Sequence, residues 1–220
     1  MKQRDAHLMS AVAIAAAAVI VAADALRAQN APASSEQNLT RPDLPNPYRT
    51  IENFVTMPAG RVMGSTNAIT IDSKGNIWVF ERCGANSCAD STVDPILAFD
   101  PSGRFIRSFG AGTFVFPHAL GFDRDGNLWI VDAGVVDGVK GNQIFKYSPE
   151  GRLLRALGKP GVRGTHTSRD LFNEPSDLAI APNGDLYVAD GHINPQSNRR
   201  IVHLTKMASS SSSSEVPAPD

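Results

Sequence analysis

The side chains in this sequence best suited to chemistry are one arginine, a spaced set of histidines and a close pair of cysteines. Arg82, in "VFERCG", carries a planar fork of donors that grips a carboxylate through two parallel bonds, and its plainer role is an ion pair with Glu81 or an acid of a neighbouring repeat. His118, directly after Pro117, suits a metal or substrate contact and equally a hydrogen bond in a packed interior. His192, in a polar stretch between apolar runs, suits proton transfer near neutral pH or a simple exposed turn. Cys83 and Cys88 in "RCGANSC" read as a small disulfide loop in an oxidising compartment. A structural zinc site generally needs four Cys/His ligands, and no second cysteine pair follows. "DRDGN" from Asp123 echoes the start of a calcium loop but lacks its distal glutamate, so it reads as a hairpin turn.

These residues sit within a block that recurs three times: "NAITIDSKGNIWVFER" from Asn67, "HALGFDRDGNLWIVDA" from His118 and "SDLAIAPNGDLYVADG" from Ser176. Each block is an apolar run, a turn centred on Gly75, Gly126 or Gly184, and a second run holding Trp78, Trp129 or Tyr187. A period of about fifty residues indicates a propeller or array. First strands are expected over 68–71, 119–122 and 177–180, second strands over 77–80, 128–131 and 186–189, third strands over 96–99, 144–147 and 201–204, and fourth strands over 105–109 and 153–157. The fold class is therefore all-β, a β-propeller with about three four-stranded blades, the third lacking its rim strand. "YRTIENFVTMPAGRVMG" from Tyr48 reads as a further rim strand. Three blades fall below the usual four to eight. Two readings stand: the chain is the front of a longer propeller, or it forms a homodimer whose two halves complete the ring. Asp132 and Asp190, which recur after the second strands, are expected to bond backbone groups.

Outside the blades, Lys2 and Arg4 precede an apolar stretch over 8–23 and small residues around Ala28, the order of a secretory signal over 1–28, with a single membrane-spanning helix as the alternative. Residues 29–47 read as a disordered Pro/Ser-rich linker, 48–206 as the blades and 207–220 as a disordered Ser-rich tail. The expectation is a secreted or periplasmic protein that touches a membrane only through an uncleaved signal segment. With a net charge of -1 and no Lys/Arg cluster, the electrostatic footprint of a nucleic-acid binder is missing.

The repeat unit, "FVFPHALGFDRDGNLWIVD" from Phe114 and "FNEPSDLAIAPNGDLYVADG" from Phe172, resembles the NHL repeat over 48–206. Among NHL propellers the chain is similar to the peptidyl-α-hydroxyglycine α-amidating lyases, on "NIWVFER", "FPHAL" and "VADGHINPQSNRRIV". That resemblance implies a six-bladed secreted enzyme that cleaves hydroxyglycine-extended peptides to an amide and glyoxylate. It makes Arg82 the active-site arginine, His118 the first of three zinc-binding histidines, and the main-chain carbonyls of Ile69 and Leu120 ligands for calcium. His192 stands where the family has its catalytic tyrosine. The family's other zinc histidines and its calcium carboxylate belong to later blades and have no match here, so an incomplete catalyst acting on a peptide or other small secreted ligand is expected. The second expectation is a non-catalytic propeller binding a peptide or carbohydrate on its channel face.

Overall fold

The structure, a computed structural model, describes residues 45–192 and 194–206. The expected signal segment, most of the linker and the Ser-rich tail lie outside the described residues. The chain divides at Thr50, and the unit that starts at Ile51 holds every strand. No helix among the described residues is long and apolar enough to cross a membrane.

The first sheet runs in the order β1 (Thr66–Ile71), β2 (Ile77–Glu81), β3 (Ile96–Phe99), β4 (Phe105–Phe109). The second repeats it with β5 (Pro117–Phe122), β6 (Leu128–Val136), β7 (Lys140–Tyr147) and β8 (Leu153–Leu157). The third contains β9 (Pro175–Ile180), β10 (Leu186–Asp190) and β11 (Arg200–Leu204). All ladders are antiparallel between chain neighbours. Two four-stranded sheets and one three-stranded sheet are therefore present among the described residues.

The hairpins close as their sequences dictate. Asp72 accepts from the amides of Lys74 and Asn76, and Asp123 from those of Asp125 and Asn127, each about a glycine at positive φ, Gly75 or Gly126. Such Asx turns leave the carboxylate one further oxygen. The indole N–H of Trp78 donates to it at 3.0 Å in the first block, and that of Trp129 at 3.1 Å in the second. "DRDGN" is thus a hairpin turn. In the third block Ala181 takes the aspartate's place, and Tyr187 instead stacks on His203, which pairs with Asp185.

Sheets stack face to face, so both faces of the second sheet are apolar. Trp78, Phe80 and Ile96 of the first sheet meet Leu128, Ile130 and Phe145 of the second. Val131 and Ile144 meet Leu186 and Val188 of the third, with Phe172 between. The free faces of the outer sheets leave Ile69, Ile71, Tyr187 and Ile201 exposed.

Two expectations need correction. The segment from Tyr48 to Gly64 is no rim strand: it makes a single parallel bridge, Thr56 to Arg104, and lays Val55, Met57 and Met63 over Val79, Leu97 and Phe99. Pro58 has no N–H to give a ladder, and Gly60 at positive φ turns the chain so that the Arg61 amide donates to the Pro58 carbonyl. The β6–β7 hairpin is longer than the sequence suggests. Its extension pairs Gly141 with Val135 just past a register shift, where a side chain at Gly141 would strike the Gly134 carbonyl, so glycine carries strand where propensity argues against it.

Candidate functional site at one end of the inner strands

Antiparallel pairing sets the start of each first strand beside the end of each second strand, as Thr66 lies opposite Glu81, Pro117 opposite Asp132 and Pro175 opposite Asp190. His118 is the second residue of β5, whereas Arg82 follows β2 and His192 lies just after β10. One end of the sheets thus gathers three residues that are far apart in sequence.

Arg82 is buried, 8% exposed, and its guanidinium lies 3.4 Å from the centre of the Phe116 ring. It donates from Nε to the Pro117 carbonyl at 3.3 Å, from Nη1 to Asn86 Oδ1 at 2.6 Å and from Nη2 to Asn67 Oδ1 at 2.9 Å. Asn86 belongs to the loop closed by the Cys83–Cys88 disulfide, whose Cα atoms are 5.3 Å apart, so the covalent loop carries one of the groups that hold the arginine. Asn67 also donates to the His118 carbonyl, tying β1 to β5. Every acceptor is neutral. Among the described residues no carboxylate pairs with Arg82, so neither pairing weighed from the sequence exists: Glu81 is bound to Arg61, and no neighbouring acid replaces it. Burial pushes the Arg82 pKa down, yet an arginine keeps its proton in proteins.

His118 and His192 face one another with their Nε2 atoms 3.0 Å apart. Phe116 stands beside both rings, with centres 6.3 Å away in each case. His118 is half-buried, and burial first, then the nearby His192 and Arg82, lowers its pKa, while a hydrogen bond to the Ser176 backbone and the charge of Asp177 oppose the fall. The fall favours the neutral imidazole. His192 is exposed. Its loop is fixed by Ser197, which receives the His192 amide at 3.0 Å and donates to the Asn194 carbonyl at 2.7 Å. Gly191 at φ 151° presses on the Asn198 carbonyl so closely that only glycine fits.

Behind this site, three buried carboxylates at equivalent positions of the second strands fasten the incoming loops. Glu81 accepts from the amides of Gly64 and Gly84 at 2.7 Å each. Asp132 accepts from those of Val115 at 2.9 Å and Phe116 at 2.6 Å. Asp190 accepts from the Asn173 amide and from Asn198 and Arg200, each at 2.8 Å. The recurring acids therefore bond backbone groups as expected, and through Phe116 and Asn198 they position the site.

The structure brings together Arg82, His118 and His192. Ile69 and Leu120 occupy matching register positions on β1 and β5, opposite Val79 and Ile130. Phe116, Asn67 and Asn86 were not singled out from sequence. Phe116 was legible as the aromatic two residues before His118 in "FVFPHAL", but the asparagines announce themselves only through contacts. For zinc, two converging imidazoles fit the nitrogen-rich donor set that the ion takes, although no group of three His, Cys, Asp or Glu ligands exists among the described residues. Calcium fits less well: it takes six to eight oxygens, usually with carboxylates among them, and no group of three such side chains exists among the described residues.

Three stacked antiparallel sheets, each with a buried acid, Glu81, Asp132 or Asp190, on its second strand, have the architecture of a partial β-propeller, and the NHL repeat family model matches residues 172–194. The chain's relatives include amidating lyases. It is 32% identical over 162 residues to the peptidyl-glycine alpha-amidating monooxygenase of Mus musculus, covering 64% of this chain and 15% of that protein. It is 30% identical over 157 residues to the peptidyl-alpha-hydroxyglycine alpha-amidating lyase 1 of Drosophila melanogaster, covering 62% and 27%. NHL repeat-containing protein 3 of Homo sapiens is equally similar, 30% over 146 residues, covering 65% and 39%. The chain thus spans well under half of each of these relatives.

Proposed function

We propose that this end of the propeller binds a small exported ligand through its carboxylate and, like the amidating lyases it resembles, cleaves hydroxyglycine-extended peptides. The observation that carries the reading is Arg82: a buried cation held by three neutral acceptors and an aromatic face, with no acid of its own among the described residues. A guanidinium that cannot discharge is stabilised by an anion from outside. The terminal carboxylate of a hydroxyglycine residue is such an anion.

With the carboxylate on Arg82, the carbinol carbon reaches toward the imidazoles beyond Phe116. In the reaction the hydroxyl proton leaves its oxygen, a carbonyl forms, the carbon–nitrogen bond breaks and the nitrogen gains a proton. The products are a peptide amide and glyoxylate, with no oxidant consumed. His118 and His192 are the groups able to handle protons or a metal at that end. A zinc ion held there would act as a Lewis acid on the substrate oxygen. Export fits the disulfide that shapes the arginine's loop. Calcium at Ile69 and Leu120 has no part in any step.

Glyoxylate release from a hydroxyglycine-extended peptide by the zinc-supplemented protein tests the reading. Arg82→Gln should weaken binding roughly ten- to a hundredfold, the scale of a lost charged hydrogen bond, with the circular dichroism spectrum unchanged. Peptide binding without glyoxylate would select the recognition reading over the lyase. Unaltered binding by Arg82→Gln would remove both.

A further inference from the structure

The two seams between sheets follow one plan, and only the first is filled with rings. There Trp78 packs edge-on against Phe109 and Phe122, with ring centres 6.1 and 5.6 Å away, and Tyr147 lies 5.4 Å from Phe109. Strand pairing fixes the equivalents in the second seam. Phe109 lies opposite Ile96 as Leu157 lies opposite Ile144, Phe122 opposite Leu128 as Ile180 opposite Leu186, and Tyr147 opposite Leu128 as Leu204 opposite Leu186. Around Trp129, the counterpart of Trp78, three rings are thus replaced by aliphatic side chains, and a cavity of about 420 Å³ opens there. That volume falls within the roughly 300–1,000 Å³ usual for small-molecule sites.

The wall of the cavity also changes charge. Ala98, opposite Trp78 in the first sheet, gives way to Lys146, opposite Trp129 with its Nζ 5.4 Å from the ring centre. Arg155 pairs with Lys146 on the next strand, and Lys206 faces the same space from the third sheet. In all, four cations and two acids line the cavity. Asp123 is committed to its own turn, to Trp129 and to Lys146, and Asp125 is an exposed turn residue. Among the described residues no acid pairs with Arg155. We infer that this seam binds a small planar aromatic anion, its ring seated against Trp129 in the space that aromatic side chains fill in the first seam and its charge toward Lys146 and Arg155. A flat ring there regains the edge and face contacts that the second seam lacks, and the anion is held by charge-assisted bonds. Residues 207–220, which follow Lys206 in the chain, contain no aromatic residue and so bring no ring to this place. The cavity lies at the end of the inner strands opposite Arg82, since Ile180 closes β9 and Pro175, beside Asp190, opens it.

The inference stands independently of peptide cleavage, and its test uses 2-naphthoate added to the full chain. A Kd of about 1 mM or tighter is expected, the scale for so small a ligand, read from the two indole N–H signals by NMR. The Trp129 signal should shift and that of Trp78, in the filled seam, should not, with Trp78→Phe telling them apart. Leu157→Phe puts back the ring that Phe109 provides in the first seam, and should abolish the shift without lowering the melting temperature. 2-Naphthamide, alike in shape but uncharged, should bind roughly two- to fivefold more weakly, the scale of a partly exposed ion pair. Arg155→Gln should remove most of that preference. Arg82→Gln should leave 2-naphthoate binding as it is, which separates this cavity from the carboxylate site proposed at the other end. A still Trp129 signal, equal shifts of both indoles, undiminished binding by Leu157→Phe, or loss of binding in Arg82→Gln would overturn the site. Equal binding of 2-naphthamide would overturn its choice of an anion. A chain that light scattering shows to be a dimer, and that takes up no 2-naphthoate, would give the groove to a second copy instead.

Discussion

Glu81 and Arg82 are chain neighbours, both buried, opposite in charge, and they do not pair. Successive residues at the end of a strand point to opposite sides, so Glu81 turns toward Arg61 and the amides of Gly64 and Gly84, and Arg82 turns toward Phe116 and two asparagines. On the Glu81 side every charge is answered within the fold, and Asp190 with Arg200 repeats that solution in the third sheet. On the Arg82 side the charge is solvated by neutral groups and left open. One side fastens loops, and the other holds a buried cation with no acid beside it among the described residues. Asp132 shows what a buried acid does without an arginine: desolvation outweighs the amides that bind it and raises its pKa to about 6. A carboxylate can relieve burial by taking a proton, whereas an arginine has no such exit.

The largest expected effect tests that division directly. Glu81→Ala strips Arg61 and two amides of their acceptor and should cost about 3–5 kcal/mol, the scale for breaking a buried pair. Arg82→Met removes an unanswered charge while keeping much of the stem over Phe116, and should change stability by less than about 1 kcal/mol. Urea melts of both variants measure the difference, and equal losses would break the comparison.

Asp132 gives the next effect. Because its folded pKa lies above the unfolded value of 3.8, the native state binds more protons between those limits, and stability falls as pH rises from about 4 to about 6, then levels. The span corresponds to about 3 kcal/mol. Lys140, the charged group that favours the carboxylate, works against it. Asp132→Asn should flatten this slope in urea melts taken from pH 4 to 7, and an unchanged slope would mean the acid is ionised at no cost.

The repeated parts were the legible parts. Period, turn glycines and strand runs placed the eleven strands to within a few residues because each pattern occurs three times and a misreading in one block is corrected by the others. The segment over 48–64 was misread because it has no repeat to check it, and its apolar residues cover a sheet rather than extend one. At the site, Arg82, His118 and His192 were visible as residue types, but their convergence depends on three sheets stacking in one register. The partners of Arg82 depend on it further: Asn86 acts through a disulfide loop and Asn67 through a neighbouring sheet, which no local pattern encodes.

The smallest effect lies at the other end of the blades, where the first block ties Trp78 to Asp72 and the third has no equivalent bond. Burial raises the Asp72 pKa, but hydrogen bonds from Trp78, Asn76 and Lys74 outweigh it, so the folded value is depressed. A depressed carboxylate contributes stability above its unfolded pKa and loses it as pH falls through the folded one. Trp78→Phe keeps an aromatic ring against Phe109 and Phe122 but removes the N–H. The variant should be less stable by about 1–2 kcal/mol near neutral pH, and part of that gap should close as pH falls below about 4 and on through the depressed folded value, where the carboxylate becomes protonated with or without the indole. A packing defect alone would give a gap that does not change with pH, so the pH dependence of the difference, more than its size, shows whether the turn is held by a charge or by a ring.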